Sequence, residues 1–394
     1  MSLTDAILTG LPDETSLTTQ DGSMRHSRGE EIEDVVTTRS FFNKNGASFP
    51  MKLAELMVLH RATKALSTAC NIGIFDYLDS ANSPKSATEI GEHCKASVNG
   101  TSRLLHACVA LDLLRTVVSD GVELFELTAD SRKYLTLNGP EALRGEIACI
   151  DMEYNLTGNL EHAVRDGTTQ WPRTLGLPEG GNLFDVVYSN EMFTLQFLAG
   201  MHGVSNVASP ILVKSIDLGE YNKACDLGGG TGAFAYHAVA QYPEMTMSIL
   251  ELPPVVQASP HFTPPNLPMS QRSRVQFIPG DFFKDDLPPA QLYVMGRILH
   301  NWGEDLCDIL LEKAYKALPP GGAVLVVEAV LNDDKSGPVR VHLESLVMLA
   351  ATGDGRERSG KEYTELLMKH GFVDVEVYRE GTLLDGVLAR KPMN

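Results

Sequence analysis

The chain has 394 residues, of which 43% are hydrophobic, enough for a sizeable core and for two or three domains. Its 51 acidic residues outnumber the 33 basic ones, so the formal net charge is −18. Such a surface repels nucleic-acid phosphates and anionic lipid, which argues against nucleic acid and membrane as partners. We also expect no transmembrane helix, because the sequence has no apolar run of about 18 residues.

The six cysteines lie far apart, with no CxxC motif and no cluster at zinc spacing. We therefore predict no metal site and expect reduced thiols. The N-terminus lacks a basic stretch followed by an apolar run, so we predict no secretory signal and a cytoplasmic protein.

Residues 1–48 are polar and carry no periodic apolar pattern, which predicts a disordered tail. From Met51 to Ala69, apolar residues recur at three- and four-residue steps, which predicts an amphipathic helix of about twenty residues. Ser86-Ala-Thr-Glu89 then resembles a capping box before a short helix.

A second apolar-faced helix is predicted from Thr101 to Leu114, and strands at Arg115–Val118 and Val122–Leu127 around the turn Ser119-Asp-Gly121. Two helices followed by a hairpin indicate a winged-helix arrangement. Residues 81–135 contain six Lys or Arg and seven Asp or Glu, whereas DNA binding needs a basic face. Dimerisation through apolar helix faces is the preferred use, and a DNA-binding regulator is the alternative.

Residues 141–215 are predicted to be helical, with interruptions at Trp171-Pro172 and Pro178-Glu-Gly-Gly181. Apolar side chains in and beyond this region are expected to line a substrate pocket. These are Met192, Phe193, Phe197 and Met348, to which we add Asn301.

From Lys223 onward, strand-like and helix-like runs alternate, which predicts a doubly wound parallel sheet in an α/β fold. The predicted strands are 224–227, 246–250, 275–278, 292–295, 323–327, 373–378 and 383–389. The last two are separated only by residues 379–382, too few for a parallel crossover, so we expect an antiparallel hairpin.

The strongest motif is Asp226-Leu-Gly-Gly-Gly-Thr-Gly232, which follows a strand and precedes a helix. Glycines such as Gly228 and Gly230 let the backbone turn tightly and approach a ligand closely. Glu251, at the end of the next strand, can accept hydrogen bonds from both hydroxyls of a ribose. The pattern therefore predicts a nucleoside site.

The loop also satisfies the dinucleotide fingerprint, so an NAD-dependent oxidoreductase is an alternative. Two details favour S-adenosylmethionine as the cofactor. Asp226 can meet the ammonium group of that ligand but would repel a pyrophosphate, and a terminal hairpin fits methyltransferases by fold analogy. Further along, Asp281 can accept from an adenine amino group, Phe282 can cover the adenine ring, and Gly280 opens that turn.

His300, in Arg297-Ile-Leu-His300-Asn-Trp302, follows the fourth strand and is aimed at the cofactor. An unperturbed histidine has a pKa of about 6.5, so at neutral pH it can accept the proton of a phenol hydroxyl. Two acids are candidates to orient it: Glu328 ends the fifth strand, and Glu357 precedes the final helix. A carboxylate bonded to one ring nitrogen fixes the tautomer that leaves the other free.

Over about residues 50 to 391, the chain resembles the plant-type class I S-adenosylmethionine-dependent O-methyltransferases. The motifs in which the resemblance is most specific include Cys225–Gly232, Gly280–Asp285, Arg297–His300 and Pro320–Gly322. The resemblance implies a Rossmann-like class I methyltransferase domain at 216–394. Before it, at 49–215, the resemblance implies an all-helical, winged-helix-like dimerisation and substrate-lid domain. It further implies a homodimer.

The resemblance assigns the base to His300 and cofactor contacts to Glu251, Gly280, Asp281, Phe282 and Arg297. Two aromatic contacts of the family are similar to Tyr154 and Trp171, which also lie seventeen residues apart. The acceptor it implies is a small aromatic hydroxyl compound, with an N-acetylserotonin-like indole favoured and another phenolic or polyketide-like metabolite as alternative.

Three positions depart from the family pattern. Asn301 stands where Asp is usual, Glu251 where Asp is common, and Val347 where similar enzymes often carry Asn or Asp. A site that has lost a hydrogen-bonding group discriminates less between acceptors. Because Asn301 replaces the usual Asp next to the predicted base, a catalytically silent protein that still binds the cofactor is a further alternative.

Overall fold

The computed structural model describes residues 49–177, 184, 187–188 and 190–393. The predicted tail at 1–48 and the predicted loop at 178–181 lie outside these residues. Among these residues, those from Leu59 onward form one compact unit, and residues 49–58 belong to another. No helix of the described part is long and apolar enough to cross a bilayer.

The helices before the large sheet are α1 (Phe49–Asn71), α2 (Ile74–Ala81), α3 (Ala87–His93), α4 (Val98–Ala110), α5 (Ala129–Tyr134), α6 (Arg144–Thr157), α7 (Leu160–Asp166), α8 (Trp171–Leu175) and α9 (Glu191–Ser215). The helices within the sheet region are α10 (Ala233–Gln241), α11 (Pro253–Ala258), α12 (Met269–Arg272), α13 (Glu304–Ala317), α14 (Val339–Thr352) and α15 (Gly360–Lys369). Short 3₁₀ turns occupy Ser259–Phe262 and Leu299–Asn301.

The strands are β1 (Leu114–Ser119), β2 (Val122–Leu127), β3 (Lys223–Leu227), β4 (Thr246–Glu251), β5 (Val275–Pro279), β6 (Leu292–Gly296), β7 (Ala323–Glu328), β8 (Val330–Leu331), β9 (Arg358–Ser359), β10 (Val373–Tyr378) and β11 (Asp385–Arg390).

The start of α3 confirms the predicted capping box. The Ser86 side chain accepts from the Glu89 N–H, and the Glu89 side chain accepts from the Ser86 N–H. The helix predicted at 101–114 instead spans 98–110, because the Ser97 side chain caps the Gly100 N–H and Asp112 has a left-handed φ of 57°. The chain therefore turns earlier than expected, and Leu114 already belongs to β1.

The predicted hairpin is confirmed. It places a two-stranded sheet among the N-terminal helices, so this region is not all-helical as the resemblance implied. β1 and β2 pair antiparallel from Leu114–Leu127 to Ser119–Val122. The two turn residues, Asp120 and Gly121, both have positive φ, as tight hairpin turns require. Pro172 does not interrupt a helix as predicted: it lies in the first turn of α8, where its missing N–H costs nothing.

The large sheet of the described residues has seven strands in the order β10-β11-β7-β6-β3-β4-β5. The strands β3 to β7 pair parallel, whereas β11 pairs antiparallel with both β7 and β10. The doubly wound sheet and its terminal antiparallel hairpin are thus confirmed. Apolar clusters on both faces bury the central strands, since every residue of β7 is buried.

Candidate active site

A cavity of about 530 Å³ opens where the parallel strands β3 to β7 end at the carboxyl edge of the sheet. Ligands of open α/β sheets bind at this edge. We name the last residues of these strands, together with the loops that follow them, the strand-end wall. The helical wall faces it and is contributed by α6, α8, α9 and α14. The predicted site residues that line the cavity are Trp171, Phe197, Asp226, Gly228, Gly230, Glu251, Gly280, Asp281, Phe282, Arg297, His300, Asn301 and Met348.

The glycine loop gives the strand-end wall its backbone. Gly228 and Gly230 have φ of 70° and 56°, and the Gly228 N–H donates to the Leu250 carbonyl at 2.9 Å. A Cβ on Gly229 would lie 2.5 Å from the carboxyl carbon of Asp226. The missing side chain at Gly229 therefore leaves room for the Asp226 carboxylate beneath the loop.

Asp226 places a buried carboxyl group at the cavity. The side chain is 2% exposed, and its Oδ1 has no hydrogen-bond partner among the described residues. Burial, with the nearby Glu251 carboxylate, raises the pKa of Asp226 to about 7. A buried carboxyl group with a free oxygen needs a cation or a donor to compensate it.

Glu251 is held by the backbone on both oxygens. Oε1 accepts from the Gly230 N–H at 2.9 Å, and Oε2 accepts from the Leu252 N–H at 2.7 Å. Burial raises the pKa of Glu251 to about 7, against the lowering effect of these two bonds. Each oxygen keeps a second lone pair, so the fixed carboxylate can still accept hydroxyl donors from a ligand.

Asp281 is already partly engaged. Its Oδ1 accepts from the Phe283 N–H at 2.9 Å, and its Oδ2 pairs with Lys284 at 2.8 Å. Phe282 lies beside the glycine loop, because a Cβ on Gly228 would come within 3.2 Å of the Phe282 ring. The two side chains thus continue the strand-end wall as expected, with Asp281 also shaping its own turn.

His300 lies in the short 3₁₀ turn after β6 and is 6% exposed. Its Nδ1 is 2.7 Å from Oε1 of Glu357, which is 3% exposed. Burial alone would lower the pKa of His300, but the hydrogen bond and charge of Glu357, with the charge of Glu328, raise it above the ordinary value. The structure therefore brings together the predicted base and one predicted orienting acid.

Glu328 contacts the backbone at His300 rather than its ring, contrary to the expectation that it orients the imidazole directly. Its Oε1 accepts from the N–H groups of Ile298 and His300 at 3.0 and 3.1 Å. Its Oε2 accepts from the Tyr363 hydroxyl. Glu328 ends β7, next to β6, so its carboxylate lies under the turn that follows β6 and fixes the turn's path.

Sequence reasoning missed the residues that hold this turn and the Glu357 segment. The Arg358 guanidinium, 1% exposed, donates to the carbonyls of Leu299 and Trp302 at 3.0 and 3.3 Å. The Ser345 hydroxyl accepts from the Glu357 N–H at 3.2 Å. Only the parallel pairing of β8 with β9 brings this segment beside β7, and two-residue strands leave no periodic signal.

Tyr154 does not line the cavity, contrary to expectation. Its side chain is 42% exposed, with the Lys64 ammonium over its ring at 5.2 Å. The neighbouring α6 residues Met152, Glu153 and Leu156 line the cavity instead. One residue along a helix rotates a side chain by about 100°, so Tyr154 points elsewhere. Trp171, the other aromatic residue of the predicted pair, does line the cavity, and so do Tyr188 and Ser205.

Met192 and Phe193 are likewise outside the cavity. They lie in the first turn of α9 and are 64% and 45% exposed, whereas Phe197, one turn further on, lines the cavity. The apolar pattern of α9 could not distinguish these positions, because the helix is apolar on more than one face. Met348 of α14 lines the cavity as expected, beside Val347.

Arg297 and Asn301 line the cavity from the turn that follows β6. Arg297 has a left-handed φ of 57°, and its Nη1 is buried without a hydrogen-bond partner among the described residues. The Asn301 side-chain amide donates to the Arg297 carbonyl at 2.8 Å. The Asn301 amide, which stands where the resemblance implies an acid, therefore closes this turn.

The parallel sheet with an antiparallel β11, the glycine loop after β3 and the acid ending β4 define a class I methyltransferase fold. Family models match an O-methyltransferase domain at residues 158–373 and an O-methyltransferase dimerisation domain at residues 54–137. The chain belongs to the O-methyltransferase family and is an O-methyltransferase by that membership.

Named relatives agree with this assignment. The chain is 40% identical to acetylserotonin O-methyltransferase of Gallus gallus over 335 residues, 84% of this chain and 94% of that protein. It is 36% identical to a probable bifunctional dTTP/UTP pyrophosphatase/methyltransferase protein of Homo sapiens, over 87% of this chain and 54% of that protein. It also matches the structure of human N-acetylserotonin methyltransferase in complex with SAM, with a TM-score of 0.82 and 34% identity, over 89% of this chain and 99% of that one.

Proposed function

We propose that this enzyme transfers a methyl group from S-adenosylmethionine to the hydroxyl of a small aromatic acceptor. The observation that carries the proposal is His300, which is paired with the buried Glu357 and lines the same cavity as the glycine loop and its two acids. An N-acetylserotonin-like indole is the favoured acceptor, in line with the relatives' names. Another phenolic or polyketide-like metabolite is the alternative.

The strand-end wall suits S-adenosylmethionine. The orphaned Oδ1 of Asp226 can pair with an ammonium group, and the fixed Glu251 carboxylate can accept from ribose hydroxyls. The side chain that Gly229 lacks would collide with Asp226. When bound, the cofactor supplies an electrophilic methyl group on a cationic sulfur, which a cavity rich in carboxylates favours.

His300 is proposed as the base. With Nδ1–H donating to Glu357, Nε2 is free to remove the proton of the acceptor hydroxyl. Glu357 then stabilises the imidazolium that forms. Glu328 contributes indirectly, because it holds the backbone at Ile298 and His300 in place. Most of the rate should come from positioning, with the base adding about 10²- to 10⁴-fold.

The helical wall suits a flat apolar acceptor. Phe197, Val347 and Met348 contribute apolar surface, and Trp171, 2% exposed, adds an aromatic face. Val347 lacks a hydrogen-bonding group where similar enzymes often have one. For this reason other phenolic acceptors remain in the proposal beside the indole.

The proposal extends to the oligomeric state and the cellular compartment. We propose a homodimer formed through the N-terminal domain, since the dimerisation model matches residues 54–137. The six cysteines are unpaired, which suits a reducing compartment such as the cytoplasm.

The test measures transfer of labelled methyl groups from S-adenosylmethionine to a panel of indoles, phenols and catechols, including N-acetylserotonin. His300→Ala should lower kcat by about 10²- to 10⁴-fold and leave cofactor affinity nearly unchanged. Equal turnover in the variant would remove His300 from the mechanism. Cofactor binding without transfer to any acceptor would favour the catalytically silent alternative.

A further inference from the structure

The glycine loop has one side chain through which the rest of the protein can hold it. In Gly228-Gly-Gly-Thr-Gly232, every residue except Thr231 is glycine. Glycines populate many backbone conformations, so such a loop does not keep one shape unless it is tied down. Thr231 is 3% exposed and lines the cavity.

His202 of α9 meets this side chain. Its Nδ1 lies 2.8 Å from the Thr231 hydroxyl oxygen, a normal hydrogen-bond distance. The imidazole packs against the Phe262 ring, with 5.3 Å between ring centroids, which limits its movement. The contact joins two elements that are 29 residues apart in the sequence.

One helical turn further along α9, a second histidine contact holds the same region. The Nε2–H of His237, on α10, donates to Oδ1 of Asn206 at 2.8 Å. Because α10 begins directly after Gly232, the two contacts clamp both the loop and the helix that leaves it. Residues four apart lie on one face of a helix, so His202 and Asn206 form a single contact surface.

The surroundings keep both imidazoles neutral. Burial, with the neighbouring His237, lowers the pKa of His202 to about 4, and burial also lowers the pKa of His237. A neutral imidazole has one donor and one acceptor nitrogen and can bond a hydroxyl in either direction. These histidines are therefore suited to holding structure rather than to proton transfer.

We propose that His202 is a positioning residue for the cofactor: through Thr231 it holds the glycine loop in the shape that binds S-adenosylmethionine. This inference rests on the proposed function. It also links the two walls of the cavity, because α9 carries Leu198, Met201 and Ser205 of the helical wall as well as the loop's anchor. His202 does not take part in the chemical step.

The experiment measures S-adenosylmethionine affinity by calorimetry and kcat at saturating substrates. One hydrogen bond of ordinary strength corresponds to a roughly three- to ten-fold change in an equilibrium constant. His202→Ala and Thr231→Val should each weaken cofactor binding by about that factor, with kcat changed less than about two-fold. His202→Asn, whose amide can take the place of Nδ1, and Thr231→Ser should restore most of the affinity.

The double variant His202→Ala/Thr231→Val should bind no more weakly than either single variant, because the two changes remove one contact. His162→Ala, an exposed histidine on α7, serves as the matched control with unchanged affinity. Additive losses, or no rescue by His202→Asn and Thr231→Ser, would overturn the inference. Failure of the wild-type chain to bind the cofactor would overturn the proposed function and this inference together.

Discussion

The two walls of the cavity are built in different ways. In the strand-end wall, the acids are the last residues of strands and their oxygens accept backbone N–H groups, as at Glu251 and Glu328. In the helical wall, Phe197, Val347 and Met348 project from helix faces and contribute mainly apolar surface. The strand-end wall is thus a fixed polar frame suited to one cofactor and one reaction. The helical wall can change its side chains without altering that frame, so we expect it to determine the acceptor.

The sharpest test of the polar frame is Asp226→Asn. Losing a buried charge that pairs with a cation should weaken S-adenosylmethionine binding by on the order of 100-fold. Binding by the wild-type chain should also weaken as the pH falls through about 7, because Asp226 and Glu251 become protonated. Calorimetry between pH 6 and 8 measures both effects, with the exposed Asp286→Asn as control.

The same variant should stabilise the ligand-free protein. The raised pKa of Asp226 means that its ionised form destabilises the native state. This destabilisation is absent below the pKa of Asp226 in the unfolded chain, near 4. It grows as the pH rises and is complete above the pKa in the folded protein, about 7. At pH 8, Asp226→Asn should therefore raise the unfolding free energy by about 1–3 kcal/mol. Loss of both binding and stability would instead indicate a damaged loop.

A smaller effect, on kcat and its pH dependence, is expected from substitutions of Glu357 and Glu328, the two acids near His300. Glu357→Gln removes the charge next to the ring, so kcat should fall by roughly 10- to 30-fold. Activity needs neutral His300 and so rises with pH through its pKa, which lies above 6.5 in the wild-type enzyme. In Glu357→Gln this rise should move to lower pH, as a rate–pH profile will show.

Glu328→Gln is the variant to compare with Glu357→Gln. The new amide would face three hydrogen-bond donors, the N–H groups of Ile298 and His300 and the Tyr363 hydroxyl, so the variant should lower the unfolding free energy by about 1–3 kcal/mol. It should shift the rate–pH profile less than Glu357→Gln does. Equal shifts in both variants would contradict the assignment of separate tasks to the two acids.

The smallest effect is predicted on α9, where two phenylalanines one turn apart test the helical wall. Phe197→Ala should raise the acceptor KM by roughly three- to ten-fold through lost apolar contact, with little change in cofactor affinity. Phe193→Ala, at an exposed position outside the cavity, should leave the KM unchanged. A larger change in KM for Phe193→Ala would move the acceptor site away from the described cavity.

The sequence by itself determined the polar frame. Asp226 and Glu251 lie at the ends of strands that alternation and turn residues identify, and the glycine loop and His300 follow such strands. The carboxyl ends of the strands of a parallel sheet meet at one edge. The capping box at Ser86 and the hairpin at Asp120-Gly121 were predictable for the same reason, since the signal is contained in a few neighbouring residues.

Only the tertiary structure decided which helical residues face the cavity and what each acid contacts. Glu153 faces it and Tyr154 does not, although the two are adjacent, because packing against other elements sets how a helix is rotated about its axis. The His300–Glu357 contact spans 57 residues and the His202–Thr231 contact 29 residues. Such contacts depend on how distant elements pack, and one sequence carries no local signal for them.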